Sequence, residues 1–569
     1  MIISRDNLKF WKNQSKLLDW HKKPKKIFEK KSDNSFRWYL EGKLNIYHNL
    51  ILQHKLKNPN KVAITTLSKN YDINTYTYKQ LDELVNIFLN NLLSKKKIKK
   101  VMIHSSASID SSISMLSCAK AGIFFSVIFQ ELPEKAILSR MELFKPDVFI
   151  TRDKKIYSRL KKKFRNKPEV LTFEELKKNT KKIQNNIKDV YVDSNKDFFC
   201  LFTSGSTGLP KGVVHSYSGY SIYTKHTCKK QFGMNKNSIV LTASDAGWIN
   251  GHTYSLFGPL FFGASTIICE TPLILLNIKI LKKILSLKVD ILYLPVTLIR
   301  LMKATSGNIN LKSKRLKAIG SMGEPLAPAI GSWFAKNFSK INSSVVNTYF
   351  QTETGGIICS PRYSDKTSKI PHGSVGKPVF KSLSFKKLYK DENKELILTQ
   401  PWPGCMKRIL NPKKEWNKYW TKDNNFRMFD LATKKNSSIY IHGRLDDVVN
   451  IRGHRIGSEE LESIILSEKK ISECCAISFP DKIEGSVFYL FVVSKNEKID
   501  NQINNLIDTV FGSFALPKKI FYLPELPKTR SGKILRRLLR SLLNKEINYG
   551  DTSTMLNPYI VDIIKKIVN

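Results

Sequence analysis

A loop of hydroxyl and glycine residues that ends in a lysine, TSGSTGLPKG, occupies residues 203–212. Gly205 and Gly208 let the backbone come close to a ligand, so that its N–H groups can point at phosphate oxygens. The neighbouring hydroxyls add donors, and Lys211 adds a fixed positive charge. We therefore expect this loop to bind a phosphate-bearing ligand. The residues expected to contact it are Thr203, Ser204, Gly205, Ser206, Thr207, Gly208 and Lys211.

Two other interpretations of this loop are weaker. Its spacing differs from the G-x-x-x-x-G-K-[ST] phosphate loop, because only two residues separate Gly208 from Lys211. A Ser- and Gly-rich surface turn is the plain structural alternative. The apolar segments at 198–202 and 213–214 disfavour it, since they predict buried strands on both sides of the loop.

A second polar stretch, TYFQTETGG at 348–356, places Glu353 between two hydroxyl residues and ahead of paired glycines. A carboxylate in this setting suits a divalent cation that also binds nucleotide phosphates. A polar turn is an equal alternative when the stretch is taken alone. The phosphate-binding loop favours the metal-binding interpretation.

A third stretch, LPKTRSGKILRR at 526–537, presents Lys533 after a Ser-Gly turn and ahead of a basic amphipathic helix. Taken alone, this pattern is also compatible with a nucleic-acid-binding patch, because Arg536 and Arg537 follow directly.

Together the three stretches resemble the signatures of the AMP-forming adenylating enzymes, the superfamily of acyl-CoA synthetases, luciferases and peptide-synthetase adenylation domains. The resemblance runs from Trp11 to about Asp551 and is strongest to the propionyl-CoA and acetyl-CoA synthetase branch. It implies that Glu353 binds Mg²⁺ and that Lys533 bridges the attacking carboxylate and the α-phosphate of ATP. The catalytic residues it implies are Lys533, Glu353, Thr203 and Lys211.

The resemblance also assigns residues outside the first loop to ATP. Phe429 is a departure, because most of the superfamily has Gly before the ribose-binding Asp430, although propionyl-CoA synthetases also show Phe-Asp here. The further ATP-binding residues implied are Gly323, Glu324 and Pro325 beside adenine, Gln351 and Thr352 near the α-phosphate, Asp430 and Arg444 at the ribose, and Arg455.

GRLDDVVNIRGHRIG at 443–457 is nearly a copy of the family's hinge segment. By resemblance, Asp446 is the hinge, and Arg452, Gly453 and Arg455 lie along the CoA path. A solvated charged face is the alternative for these arginines, but Gly453 favours close backbone approach. Acetyl-CoA synthetases have an Arg that binds CoA phosphates at the position where this chain has Asp508-Thr509. Other basic groups must therefore bind those phosphates in this chain, or the CoA phosphates are bound weakly.

The acyl pocket is also assigned by resemblance, to Trp248, Ile249, Asn250, Met322 and Phe350. Phe350 replaces a Trp that caps the pocket of acetyl-CoA synthetases, which enlarges it, whereas Ile249 and Met322 are larger than the family's usual residues. Asn250 replaces Thr or Val and adds an amide. We expect a pocket for acids of roughly two to four carbons, one that accommodates a hydroxyl or keto group beside Asn250.

The reaction that the resemblance implies is acid + ATP + CoA to acyl-CoA + AMP + pyrophosphate, through an acyl-adenylate. ATP, Mg²⁺ and coenzyme A are the expected cofactors and substrates, and acetate or propionate is the expected acid. A ligase for a hydroxy, keto or branched C3–C4 acid is the first alternative, and a basic nucleic-acid-binding paralogue is the second. Related enzymes are regulated by acylation of this lysine, so a lysine acyltransferase and a deacylase acting on Lys533 are expected partners.

The composition favours an enzyme of the cytoplasm. The formal net charge is +47, from 95 Lys and Arg against 48 Asp and Glu, but the basic residues are scattered and form no stripe with aromatics. We expect no specific nucleic acid and no membrane as partners. The eight cysteines form no C-x-x-C pair, and the N-terminus carries no continuous apolar segment typical of a signal peptide.

Alternating strands and helices must position these residues. Strands are predicted at 62–66, 101–104, 124–129 and 291–295, with helices at 78–93 and 111–121 between them. This pattern indicates an α/β fold: a large N-terminal domain of mixed, largely parallel sheets with flanking helices, followed by a small mobile α+β domain. The predicted units are an N-terminal extension packed on the core (1–55), a nucleotide- and acyl-binding domain (56–445) and a C-terminal domain carrying Lys533 (446–569).

Overall fold

The computed structural model of the chain describes residues 1–568 with internal gaps. The positions left out are 95–97, 133, 154, 157, 159–167, 179–189, 205–209, 308, 314, 340–343, 366–369, 381–382, 388–393, 446–447, 452–453, 482–484, 495–497, 530–531 and 547–554. The α-helices that the described residues form are Arg5–Gln14, Gln53–Lys57, Tyr78–Leu93, Ile109–Ala121, Glu134–Phe144, Phe173–Lys177, Tyr217–Phe232, Gly258–Phe261, Ile278–Leu285, Val296–Ser306, Pro328–Phe338, Lys413–Asn417, Ser458–Ile465, Asp500–Phe511, Arg536–Leu543 and Ile560–Val568.

Two seven-stranded sheets form the centre of the described fold. In the first sheet the central strands are parallel, and the strands on either side of the 203–212 loop are antiparallel to each other. In spatial order its strands are Arg408–Ile409, Pro210–Ser216, Asp197–Ser204, Phe124–Ile128, Lys100–His104, Val148–Thr151 and Glu169–Thr172.

The second sheet is parallel except for the pair at one edge. In spatial order its strands are Val346–Asn347, Ala318–Met322, Ile291–Pro295, Ile239–Thr242, Ser265–Cys269, Val62–Leu67 and Ile73–Thr77. The carboxyl ends of parallel strands meet at one edge of a sheet, where ligands usually bind in α/β folds.

The predicted α/β class is confirmed, and most predicted elements are observed within a residue or two. The Tyr78–Leu93 helix has the predicted bounds, because Thr77 caps its first turn and Gln80 returns the hydrogen bond. The next helix spans Ile109–Ala121 and so begins two residues earlier than predicted, at the Ser108 cap. Gly122 ends that helix in the left-handed region, with φ of 66°.

Smaller sheets complete the described fold. A four-stranded antiparallel sheet holds the residues just before the predicted hinge, and a three-stranded sheet forms part of the C-terminal region. The strands of the former are Leu383–Lys387, Lys394–Leu398, Phe426–Lys435 and Ser438–Arg444; those of the latter are Ile471–Asp481, Gly485–Ser494 and Lys519–Tyr522. The remaining paired strands are Lys26–Lys30 with Phe36–Leu40, Lys43–Leu44 with Val192–Asp193, Cys359–Ser360 with Lys377–Pro378, and Val448–Ile451 with His454–Gly457.

The first residues of the chain pack on the main body through aromatic side chains. Trp11 is fully buried, and its ring lies 5.8 Å from Tyr223 and 5.9 Å from Phe380. All eight cysteines are buried free thiols. None of the helices in the described part of the chain combines the length and apolar character needed to cross a membrane.

Candidate active site

The phosphate-binding loop predicted from the sequence joins two antiparallel strands. Thr203 lies opposite Lys211, and Ser204 lies opposite Pro210, so the two strands are the arms of a hairpin. Asn411 secures its second strand, because its side chain accepts from the Gly212 N–H at 2.9 Å and donates to the Pro210 carbonyl at 2.9 Å. The loop residues Gly205, Ser206, Thr207 and Gly208 lie outside the described residues, as does the side chain of Ser204.

Lys211 lies between an acidic and an aromatic side chain. Its Nζ is 3.9 Å from Glu415 Oε2 and 5.4 Å from the centre of the Tyr419 ring. Only 14% of the Lys211 side chain is exposed, so most of its charge is shielded from bulk water. An ammonium held this way has a fixed position from which it could neutralise phosphate charge.

Glu353 lies on a single 3-10 turn, Thr352–Thr354. One of its carboxylate oxygens, Oε1, accepts a hydrogen bond from Tyr419 Oη at 2.8 Å. No hydrogen bond from the described residues reaches the other oxygen. Because a carboxylate oxygen is a ligand that Mg²⁺ prefers, this open oxygen fits the predicted metal site.

The two glycines after Glu353 let the chain approach other backbone closely. Gly355 has φ of +70°, and a Cβ placed on it would lie 2.2 Å from the carbonyl oxygen of Gly404. The Met406 N–H, two residues beyond Gly404, donates to the Glu353 carbonyl at 2.8 Å. The turn that carries Glu353 is therefore bound to the 404–406 segment along its backbone.

Asp430 is a buried carboxylate with three polar partners, and 6% of its surface is exposed. It accepts hydrogen bonds from the Tyr349 hydroxyl and, at 2.6 Å, from Gln351 Nε2, and Arg444 lies 3.5 Å away. Burial raises the pKa of Asp430 above its usual range, while the Arg444 guanidinium and the two hydrogen bonds oppose that shift.

Phe429 adopts the left-handed backbone conformation, with φ of 55°. This explains how Phe can stand where most of the superfamily has Gly, since the chain still makes the turn that glycine favours. The strain is offset by contacts of the ring, because the guanidinium carbons of Arg427 and Arg444 lie 4.8 and 5.8 Å from its centre.

The predicted acyl-pocket residues come from three separate segments. Met322 ends the strand Ala318–Met322, and Ile249 and Asn250 precede the π-helix Gly251–Phe257. Phe350 packs against both the cluster that contains Met322 and the cluster that contains Ile249, so it joins the two walls. Trp248 packs on Phe129, with ring centres 5.2 Å apart.

Asn250 carries an unsatisfied polar atom at this position. Its side chain is buried, with 9% exposure, and its Oδ1 has no hydrogen-bond partner among the described residues. A buried acceptor without a donor costs about 1–3 kcal/mol, so a ligand that brings a donor gains by satisfying it.

The turn that carries Lys533 contacts a helix that follows a strand of the second sheet. A Cβ on Gly532 would lie 2.7 Å from Thr297 Oγ1, at the start of the helix Val296–Ser306. That helix follows directly from the strand Ile291–Pro295, whose last residue pairs with Met322. Lys533 itself is exposed, and its N–H and carbonyl bond Thr529.

Of the other predicted residues, Glu324 accepts from Arg300 at 3.1 Å, and Gly323, with φ of +92°, faces open space. Arg455 lies in the strand His454–Gly457. Asp446, Arg452 and Gly453 lie outside the described residues.

Sequence reasoning missed the residues that support these groups. Tyr419, Glu415, Tyr349 and Arg300 touch Glu353, Lys211, Asp430 and Glu324, respectively. Tyr349 lies inside the quoted 348–356 stretch and could have been noticed there. The others lie in segments without a recognisable motif.

Comparison with protein-family models gives three matches along the chain. Residues 52–401 match the AMP-binding enzyme model, residues 460–533 match the AMP-binding enzyme C-terminal domain, and residues 3–50 match the acetyl-coenzyme A synthetase N-terminus.

Similar proteins and structures cover nearly the whole chain. Acetyl-coenzyme A synthetase of Helicobacter pylori is 32% identical over 98% of this chain and 93% of its own length, and that of Bradyrhizobium diazoefficiens is 31% identical over the same shares. Acetoacetyl-CoA synthetase from Streptomyces lividans has a TM-score of 0.83 at 16% identity, covering 99% of this chain and 92% of that one. The anthranilate CoA ligase AuaEII in complex with anthranoyl-AMP has a TM-score of 0.77 at 19% identity, covering 88% of this chain and 97% of its own.

Proposed function

The chain belongs to the AMP-binding enzyme family and is an AMP-forming acid–CoA ligase, for which we propose acetate or propionate as the acid. Enzymes of this class use ATP and Mg²⁺ and take CoA as the thiol substrate. The observation that supports the choice of acid is that Ile249 and Met322 are buried, at 5% and 2% exposed, and that Phe350 packs against the clusters that contain them. We infer that these residues leave room for only two to four carbons.

In the proposed first step the acid's carboxylate attacks the α-phosphate of ATP, and pyrophosphate leaves. Lys533 is the proposed bridge between the attacking oxygen and the α-phosphate, while Lys211 and the hydroxyls of the hairpin hold the other phosphates. Glu353 would hold Mg²⁺ through its open oxygen, and the bound metal would neutralise phosphate charge. Asp430 and Arg444 are proposed to fix the ribose.

In the second step the CoA thiol attacks the acyl-adenylate and AMP leaves. The proposed hinge at Asp446 would separate the proposed domains at 56–445 and 446–569, and rotation about it would exchange the Lys533 turn for the CoA path at 452–455. The exposure of Lys533 would also make it accessible to the acylating and deacylating enzymes expected as regulators. A cytoplasmic location is proposed on the same family grounds and fits the free thiols.

Two assays test this function together. Purified protein with Mg²⁺, ATP, CoA and acetate or propionate should release AMP and pyrophosphate, and release of ADP would refute the reaction. Exchange of pyrophosphate into ATP over a panel of acids should favour two to four carbons, and a preference for octanoate would refute the pocket. The variant Lys533→Ala should lose the acid-dependent step by about 10²–10³-fold, yet still make thioester from supplied acyl-adenylate.

A small hydroxy acid is the second candidate, because it would bring a donor to the unpartnered Oδ1 of Asn250. The acid panel should therefore include acids with a hydroxyl at carbon 2 or 3, and a keto acid of the same length as an acceptor-only control. If a hydroxy acid is preferred, Asn250→Val should lower kcat/KM for it by about tenfold or more while leaving propionate nearly unchanged. A similar loss for both acids would reject this candidate.

A further inference from the structure

Tyr419 contacts two of the charged side chains that the proposed function places at the phosphates, Glu353 and Lys211. Its hydroxyl donates to Glu353 Oε1 at 2.8 Å, and its ring lies 5.4 Å from Lys211 Nζ. The tyrosine is 66 residues from Glu353 in sequence. It lies just beyond the short helix Lys413–Asn417, in a segment that no family motif marks.

The Tyr419 side chain is held rigidly, so it can set the position of what it touches. It is 3% exposed, its ring stacks on Phe426 at 5.7 Å, and it meets Phe429 edge-on at 5.6 Å. Its carbonyl accepts the Arg427 N–H at 2.8 Å. A phenol packed against two other rings and bound through its backbone keeps its hydroxyl directed at Glu353.

Glu415, four residues earlier, acts on Lys211 from the same segment. Its Oε2 is buried and has no hydrogen bond in the described structure, and Lys211 lies 3.9 Å from it. Its Oε1 binds Lys418 at 2.6 Å. The segment 415–419 therefore contacts Lys211 through the Glu415 carboxylate and the Tyr419 ring. It contacts Glu353 through the Tyr419 hydroxyl.

We propose that Tyr419 is a positioning residue, which orients Glu353 toward the metal and sets its distance from Lys211. The inference rests on the proposed role of Glu353 as a Mg²⁺ ligand. The Tyr419 hydroxyl holds one oxygen of Glu353, which would keep the carboxylate from rotating and leave its other oxygen available to the metal. Partners that orient a metal ligand commonly change metal affinity or activity by about 10–100-fold when they are removed.

The test is metal binding by the Tyr419→Phe variant, which loses the hydroxyl and keeps the ring beside Lys211. Mn²⁺ is titrated into protein that carries a non-hydrolysable ATP analogue, and free Mn²⁺ is measured by electron paramagnetic resonance. We expect the dissociation constant to rise about tenfold. The KM for Mg²⁺ should rise similarly, with kcat recovering at saturating Mg²⁺, and thioester formation from supplied acyl-adenylate should be unchanged.

The matched control is Tyr78→Phe, which deletes an equally buried hydroxyl that donates to the Ala264 carbonyl at 2.9 Å. It should leave Mn²⁺ affinity unchanged. If Tyr419→Phe does not fold, two analogues of equal size replace it at position 419: para-aminophenylalanine, which keeps a donor, should retain affinity, and para-methylphenylalanine should lose it.

Two outcomes separate the inference from the function beneath it. Equal Mn²⁺ affinity of wild type and Tyr419→Phe, or of the two analogues, overturns the positioning role while the function stands. A wild-type protein that forms no AMP or binds no Mn²⁺ with the ATP analogue overturns the proposed function itself.

Discussion

Replacing Gly355 with Ala should damage the turn that carries Glu353 more than a simple loss of glycine would. A side chain at φ of +70° costs about 1–2 kcal/mol in backbone strain. The new Cβ would also lie 2.2 Å from the Gly404 carbonyl oxygen, well inside the 3.0 Å that real Cβ atoms keep. Because the Cβ is fixed to the backbone and its contact partner is a backbone oxygen, only a shift of the chain can remove the clash. Overpacking of this kind costs about 1–3 kcal/mol of unfolding free energy.

The expected loss of unfolding free energy is therefore about 2–5 kcal/mol. Gly307→Ala is the control for backbone strain without a contact, because Gly307 has φ of +57° and ψ of −122° and nothing lies within 4 Å of its Cβ position. It should lose only the backbone part. Chemical unfolding followed by tryptophan fluorescence suits the measurement, since Trp402 Nε1 donates to the Thr354 carbonyl at 3.0 Å and so reports on this turn.

The same substitution should impair pyrophosphate exchange, because the displaced 404–406 segment is hydrogen-bonded to the Glu353 backbone. We expect Gly355→Ala to need a higher Mg²⁺ concentration for exchange than the wild type. Gly307→Ala should need the same Mg²⁺ concentration as the wild type. Equal destabilisation of the two variants, with exchange preserved in both, would refute the close-packing argument.

Two further predictions concern neighbouring residues. Phe429→Gly should be more stable to heat than Phe429→Ala by about 1 kcal/mol, because both lack the ring and only alanine keeps the strain at φ of 55°; the reverse order would contradict the strained conformation. Burial raises the pKa of Asp245 from 3.8 to about 7, so the folded state favours the protonated acid. The wild type should therefore lose melting temperature relative to Asp245→Asn as the pH rises from 4 through 7, since asparagine still accepts the Gly247 N–H; a gap independent of pH would contradict this.

The sequence predicts those parts of the site that are contiguous in the chain. The hairpin of Thr203 and Lys211, the Glu353 turn and the strand alternation follow from local residue types. Contacts between distant segments do not, because nothing in the local pattern says what a side chain will meet. Tyr419 donates a hydrogen bond to Glu353, 66 residues away in sequence, and Asp430 accepts one from Gln351, 79 residues away.

Backbone conformation is a second feature that residue types misrepresent. The left-handed conformation at position 429 favours glycine, but the residue there is Phe429. It adopts this conformation because two guanidinium groups and the Tyr419 ring pack around its side chain. Tertiary contacts here outweigh a local preference of about 1–2 kcal/mol. With this departure from the family pattern at 429, Asp430 accepts hydrogen bonds from Tyr349 and Gln351.

Some of the many basic residues also have a structural role, pairing with carboxylates, which the composition alone does not reveal. Asp197 begins the strand that ends at Thr203 and Ser204, and it binds both Lys407 and Arg408. Asp290 precedes the strand Ile291–Pro295; it accepts the Ile239 N–H at 2.8 Å and lies within 4 Å of Arg315 and Lys317.

A single base would leave part of each carboxylate's desolvation cost unmatched, whereas two bases offset more of it. Asp197 stands at the start of a strand whose far end carries Thr203 and Ser204, and Asp290 precedes a strand whose last residue pairs with Met322. Some of the surplus positive charge thus pairs with carboxylates at the strand starts of the two central sheets, at the edge opposite the proposed nucleotide site.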